Sequence, residues 1–240
     1  MGKTKYKRIL LKLSGESLGK EDATIDGSKL NKLVSVLKKI SSMGVEVGIV
    51  IGGGNIFRGK LAEEMKIEKT TGDSMGMLST VINALAIQSV LKNNGIGCKV
   101  LSAFSIEGIV EKFTVSKTEC YFKNKNIIVF AGGTGNPFFT TDTCSSLRAL
   151  ETKCQAILMG KNGAKGIYDK DPNKYKDAKF LKKLTFKQLL EKDLGVMDLT
   201  AVSLIKNSDL NLHVFDIGNY QNIVDILNGK DIGSVVKKGE

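Results

Sequence analysis

Tryptophan is absent from the 240 residues, proline occurs twice, and His213 is the single histidine. One histidine nearly excludes a histidine-rich metal site or a Ser-His-Asp triad. Its setting, NLHVFDI, reads as a strand rather than a catalytic loop. With so little proline and no Pro/Ser-rich stretch, nothing divides the chain into independent domains, so one unit over 1–240 is expected. The four cysteines (Cys98, Cys120, Cys144, Cys154) form no CxxC pair, which argues against a zinc or redox motif. Only three of the 36 basic residues are arginine: Arg8, Arg58 and Arg148. Readers of nucleic acid rely on arginine forks, so no specific nucleic-acid partner is expected despite the formal charge of +11. Long apolar runs are also missing. The opening MGKTKYKRILLKLSG is broken by Lys12 and does not read as a signal peptide, and Tyr6 spoils the myristoylation pattern suggested by Met1-Gly2. No stretch reads as the ~20 apolar residues of a membrane span, so no membrane partner is expected and the chain reads as cytoplasmic.

What remains is an ordinary globular composition, 42% hydrophobic and 25% charged. Apolar runs at 8–13, 45–51, 99–104, 126–131, 156–160 and 211–217 read as strands. Between them, helical periodicity is expected over 29–42, with Leu30, Leu33, Val34, Leu37 and Ile40 on one face, and over 75–93, 142–153, 185–192, 199–207 and 220–227. This alternation predicts an α/β fold: a three-layer α-β-α sandwich around a mainly parallel sheet. Ligands of such sheets lie at the carboxyl ends of the strands.

Three predicted strands end in glycine turns there: Leu13-Ser14-Gly15, Gly52-Gly53-Gly54-Asn55 and Gly132-Gly133-Thr134-Gly135-Asn136. Glycine lets backbone N–H groups close on an anion, and Lys12 and Arg58 flank two of these turns, as a site for several phosphates requires. The segment Gly54–Leu61 fails as a Walker A loop, because Leu61 stands where a hydroxyl must bind Mg²⁺. Gly52-x-Gly54 fails as a dinucleotide fingerprint, because Phe57 replaces the third glycine. The residues alone describe a phosphate-binding enzyme outside the usual loop classes.

The motifs YKRILLKLSGE (6–16), VGIVIGGGNIFRG (47–59), GDSMGMLSTVINALA (72–86), GGTGNPFFTTD (132–142), GIYDKDP (166–172) and VMDLTAVSL (196–204) resemble the amino acid kinase superfamily and, within it, the bacterial uridylate kinases. The resemblance implies transfer of the ATP γ-phosphoryl group to UMP by a homohexamer. Mg²⁺ would be carried mainly by the ATP phosphates, with no direct protein ligand. It implies Lys12, Arg58 and Asp142 as catalytic, with Asp142 orienting Lys12. Lys12, Leu13, Ser14, Gly15, Gly54, Arg58, Asn162, Tyr168 and Asp171 would meet ATP. Gly53, Asp73, Thr134, Gly135, Asn136, Pro137, Phe138, Phe139, Thr140 and Thr141 would meet UMP. The UMP part would lie mainly in 45–155 and the ATP part in 156–240 plus 12–15. A helix N-cap is the alternative role for Asp73 and for Asp142. Two departures from the family pattern are Gly19–Ile25, which lacks the glycine-aromatic element of GTP-regulated members, and Lys165 in place of a common Asp. Rival readings are a carbamate or carboxylate kinase of the superfamily, and a basic nucleic-acid-binding regulator on its scaffold.

Overall fold

The structure, a computed structural model, describes residues 4–239, so the Met1-Gly2 start lies outside the described residues. In chain order the elements are β1 (Arg8–Leu13), α1 (Gly27–Ser42), β2 (Glu46–Ile51), α2 (Gly59–Glu64), α3 (Lys69–Asn93), β3 (Cys98–Ser102), β4 (Glu111–Lys112), α4 (Val115–Lys123), β5 (Ile127–Ala131) and α5 (Thr141–Glu151). They continue as β6 (Ala156–Lys161), β7 (Ile167–Tyr168), β8 (Phe180–Leu181), β9 (Lys183–Thr185), α6 (Phe186–Glu191), α7 (Leu199–Ile205), β10 (Asn211–Asp216), α8 (Gln221–Leu227) and β11 (Ser234–Lys237).

Nine strands form one sheet in the order β4-β3-β5-β2-β1-β6-β10-β11-β9, and only the β10–β11 pair is antiparallel. Strands from residues 46–131 lie on one side of β1 and those from 156–237 on the other. Its central strands β1, β2, β5, β6 and β10 are buried on both faces, as their continuous apolar runs require. Leu30, Leu33, Val34, Leu37 and Ile40 of α1 pack with α3 and α8 over one face. Helices α4 to α7 cover the other.

Strand alternation decides where the chemistry goes. In β1, Ile9, Leu11 and Leu13 enter the α1/α3/α8 core, so Leu10 and Lys12 face α5.

Several expectations are corrected. Helix α3 begins at Lys69, six residues before the apolar period starts, so Asp73 lies inside a helix and does not cap one. Asp142 is no cap either: Thr140 caps α5, accepting from the N–H groups of Asp142 and Thr143. By length and composition alone α3 is long and apolar enough to cross a membrane. Its Val81, Ala84, Ile87 and Leu91 instead join the core, which makes it a central helix of the sandwich.

Candidate active site

The loop after β1 and the loop after β2 touch. A Cβ on Gly15 would stand 2.7 Å from the Gly52 carbonyl and 2.9 Å from the Gly54 nitrogen, so glycine is required by this close approach. The Gly52 N–H donates to the Leu13 carbonyl at 3.0 Å. Beneath them, buried Asn83 of α3 donates to the Gly52 carbonyl at 2.8 Å, and Asn83 and Asn55 exchange amide hydrogen bonds at 2.8 and 3.0 Å. Gly53 serves packing as well, since a Cβ there would meet Ser79 at 2.7 Å. Beside Gly54 the space is open.

Lys12 and Asp142 form an ion pair at 2.6 Å, with side chains 13% and 18% exposed. The contact lacks hydrogen-bond alignment, so Asp142 Oδ1 is buried without an aligned donor. Lys161, the last residue of β6, donates to the Val196 carbonyl at 2.7 Å. Burial holds its ammonium below the ordinary lysine value; Asp142 opposes that shift and Lys12 adds to it. Lys12, Asp142 and Lys161 thus form one charged cluster at the strand ends.

Two cavities flank the cluster. The first, about 260 Å³, is lined by Gly53, Asp73, Asn136, Phe139, Thr140 and Thr141 among others. The second, about 400 Å³, is lined by Lys161, Asn162, Tyr168, Asp171 and residues 194–196 among others. Thr141 adjoins Asp142, and Asn162 reaches Ser14 Oγ at 3.5 Å, so both cavities border the Lys12 region. Tyr168 stands edge-on to Phe180 with ring centroids 5.4 Å apart, and Asp171 accepts from the Asn173 N–H at 2.9 Å.

Asp73 ties down the loop between β5 and α5. Its Oδ2 accepts from the Phe138 N–H at 2.8 Å, and Lys69 pairs with its other oxygen. Burial pushes its pKa up, but Lys69 and the Phe138 N–H together hold it below the usual carboxylate range. Phe138 sits at φ +70, a conformation costly for a side chain with a Cβ, and this hydrogen bond supports it. Phe138 and Phe139 are 68% and 51% exposed. Thr134, Gly135, Pro137 and Phe138 lie outside the walls of the first cavity. Arg58 is also off the cluster: it is 63% exposed and donates to the Gly54 carbonyl at 2.9 Å and to Glu16 at 2.7 Å.

Sequence reasoning missed Asp198 and Lys161. Asp198 caps α7, accepting from the Ala201 N–H at 2.9 Å, and also accepts from the hydroxyls of Thr140 and Thr143. Burial raises its pKa, and these donors outweigh that and lower it. It therefore clasps the N-termini of α5 and α7. Lys161 was findable by the same signal as Lys12, a charge at the carboxyl end of an apolar strand.

The family profile described as "Amino acid kinase family" matches residues 7–216. The chain belongs to this family. It is similar to the uridylate kinase of Mycoplasma capricolum, at 42% identity over 97% of this chain and 99% of that protein. The uridylate kinase of Mycoplasmopsis synoviae shares 45% over 94% and 96%. Among solved structures, UMP kinase from Ureaplasma parvum superimposes with a TM-score of 0.93 at 39% identity, covering 99% of this chain and all of that one. UMP kinase from Bacillus anthracis gives 0.94 at 34% identity, covering 98% and 97%.

Proposed function

We propose that this family member is a UMP kinase, transferring the γ-phosphoryl group of ATP to UMP to give UDP and ADP. The observation that carries the reading is the Lys12–Asp142–Lys161 cluster lying between two cavities, as a transfer between two bound nucleotides needs. UMP occupies the first cavity, with Gly53, Asp73, Asn136, Phe139, Thr140 and Thr141 as its walls. ATP occupies the second, its base beside Tyr168 and its ribose near Asp171. Its phosphates run from Asn162 past Ser14, Gly15 and Gly54 towards Lys12. The acceptor half is thus mainly 45–155 and the donor half 156–240 with 12–15.

The UMP phosphate oxygen is already a nucleophile, so no general base is needed, and catalysis is alignment plus neutralisation of spreading charge. Lys12 faces the junction and supplies that charge. Asp142 fixes its position, and Lys161 adds a second, partly desolvated cation. Arg58 contributes by leaving Glu16 for the phosphates when they arrive. Mg²⁺ fits as an ion carried by ATP. Mg²⁺ binds through phosphates, waters and at most one or two carboxylates, and Asp142 Oδ1 is already paired with the Lys12 ammonium at 2.6 Å, so the ion's ligands fall to the phosphates and water. When bound, the ion neutralises β- and γ-phosphate charge. Leu78 and Ile82, 46% and 51% exposed one turn apart on α3, support self-association, in keeping with a homohexamer.

The test is a coupled ADP-release assay with UMP, CMP and dUMP. Threonine and backbone groups of the first cavity paired to uracil O4 and N3–H would face reversed donors in cytosine. Such a mismatch leaves buried groups unpaired, so kcat/KM for CMP falls at least ~10³-fold below UMP. Comparable values for the two would overturn the assignment.

A further inference from the structure

Past β10 the sheet extends beyond its helices. Phe215 of β10 is buried under the α1/α3/α8 layer, but on the same face β11 and β9 are left open. His213, Val235 and Lys183 stand opposite one another there, and Lys237 follows two residues beyond Val235 on that face. The resulting shelf is a cavity of about 230 Å³, lined by His213 and by Lys5, Lys182, Lys183, Lys230 and Lys237. Among the described residues Asp231 is its single carboxylate.

Lys182 pairs with Asp231 at 3.2 Å and Lys230 with Asp225 at 3.1 Å. For Lys5, Lys183 and Lys237 no carboxylate lies within 4.0 Å among the described residues. Lysines on the edge strand guard against edge-to-edge pairing, which accounts for Lys182 and Lys183. It does not account for Lys5, Lys230 and Lys237, which come from three other segments and face the same cavity. Burial and the neighbouring Lys237 both hold the Lys5 ammonium below its ordinary value, only partly offset by Asp231. Like charges brought together at this cost point to an anion that relieves them.

We propose that this shelf, on the opposite face of β10 and β11 from the second cavity, binds a compact polyphosphate: inorganic pyrophosphate or the diphosphate end of a phosphorylated metabolite. Ammonium point charges on flexible stems suit tetrahedral phosphate oxygens, whereas planar carboxylate recognition would favour arginine forks. The cations enclose one cavity; a nucleic-acid strand needs an extended track of them.

The chain's single histidine makes the test site-specific, because His213 lines the shelf. The Cε1–H signal of His213 is followed by NMR while pyrophosphate is added at about 0.15 M salt. A saturable shift is expected. In Lys5→Gln/Lys237→Gln the affinity should weaken at least ~tenfold, with UMP-dependent turnover within about twofold of the native protein. Lys183→Gln, a single change on the exposed edge strand, gives the same readout if the double variant folds poorly. No saturable shift, undiminished binding in these variants, equal binding of sulfate, or a shift from single-stranded RNA but not pyrophosphate would each overturn the proposal. A pyrophosphate shift that a simple alkyl diphosphate, a terminal diphosphate monoester, reproduces identifies the source as a metabolite end rather than the free anion, and supports the site.

Discussion

Replacing Lys12 by alanine acts on both turnover and stability. The Lys12 side chain is 13% exposed and its ammonium lies 2.6 Å from Asp142, so the substitution removes a poorly solvated cation and orphans a poorly solvated anion. One lost transition-state charge contact lowers kcat by about 10²–10³-fold, or roughly 2.7–4 kcal/mol. Orphaning a fully buried charge costs about 3–5 kcal/mol of stability, and Asp142 keeps some water, so about 1–3 kcal/mol is expected here. The double variant Lys12→Ala/Asp142→Asn separates the two roles. If Asp142 acts by holding Lys12, the double variant is no slower than Lys12→Ala. It also recovers part of the lost stability, because the orphan carboxylate is gone. Coupled ADP release at saturating ATP and UMP, alongside urea unfolding of the native protein, Lys12→Ala, Asp142→Asn and the double variant, reads both quantities. Near-native turnover in Lys12→Ala would refute the placement of Lys12 at the transferring group. Multiplied losses in the double variant would refute the positioning role of Asp142.

Three further outcomes are expected. If Asp73 holds the ribose 2′-hydroxyl, Asp73→Ala narrows the UMP-to-dUMP ratio of kcat/KM by about tenfold or more. If it only anchors Phe138, both substrates weaken alike and the ratio stays. His213, buried against the Tyr6 hydroxyl at 2.8 Å, has its pKa pushed down from 6.5 to about 3 by burial, then by Lys5 and Lys237. The unfolded chain therefore takes up a proton first, so stability is full above about pH 6.5 and falls towards pH 3. By pH 5 about 2 kcal/mol is lost through this group. Urea melts at pH 7 and pH 5 should show that loss in the native protein and not in His213→Gln; equal pH dependence would exclude it. In the Gly19–Ile25 segment, Lys20 and Ala23 form a tight bridge, and Asn55 donates to the Thr24 carbonyl at 2.8 Å. Without the glycine-aromatic element, GTP should alter the rate less than about threefold at fixed ATP and UMP, and a large saturable activation would contradict this.

Periodicity alone determined the central strands, the apolar face of α1, and the α/β layering, because these depend on local spacing and burial. It also placed Lys12 and three glycine turns at strand ends. The short strands β7, β8, β9 and β11 were out of reach, since two to four residues are too few to display a period. The start of α3 was missed because Lys69 to Ser74 carries no apolar repeat, and with it the interior position of Asp73. The partnerships were decided only in three dimensions. Lys12 and Asp142 are 130 positions apart in sequence, and they meet because strand alternation turns Lys12 towards α5 and the sheet order sets β1 beside β6. Asp198 gives no sequence sign of reaching Thr140, because that hydrogen bond depends on α5 packing against α7. The lysine shelf likewise exists only because two edge strands extend past the helix layer, a matter of how many strands the sheet recruits rather than of any local pattern.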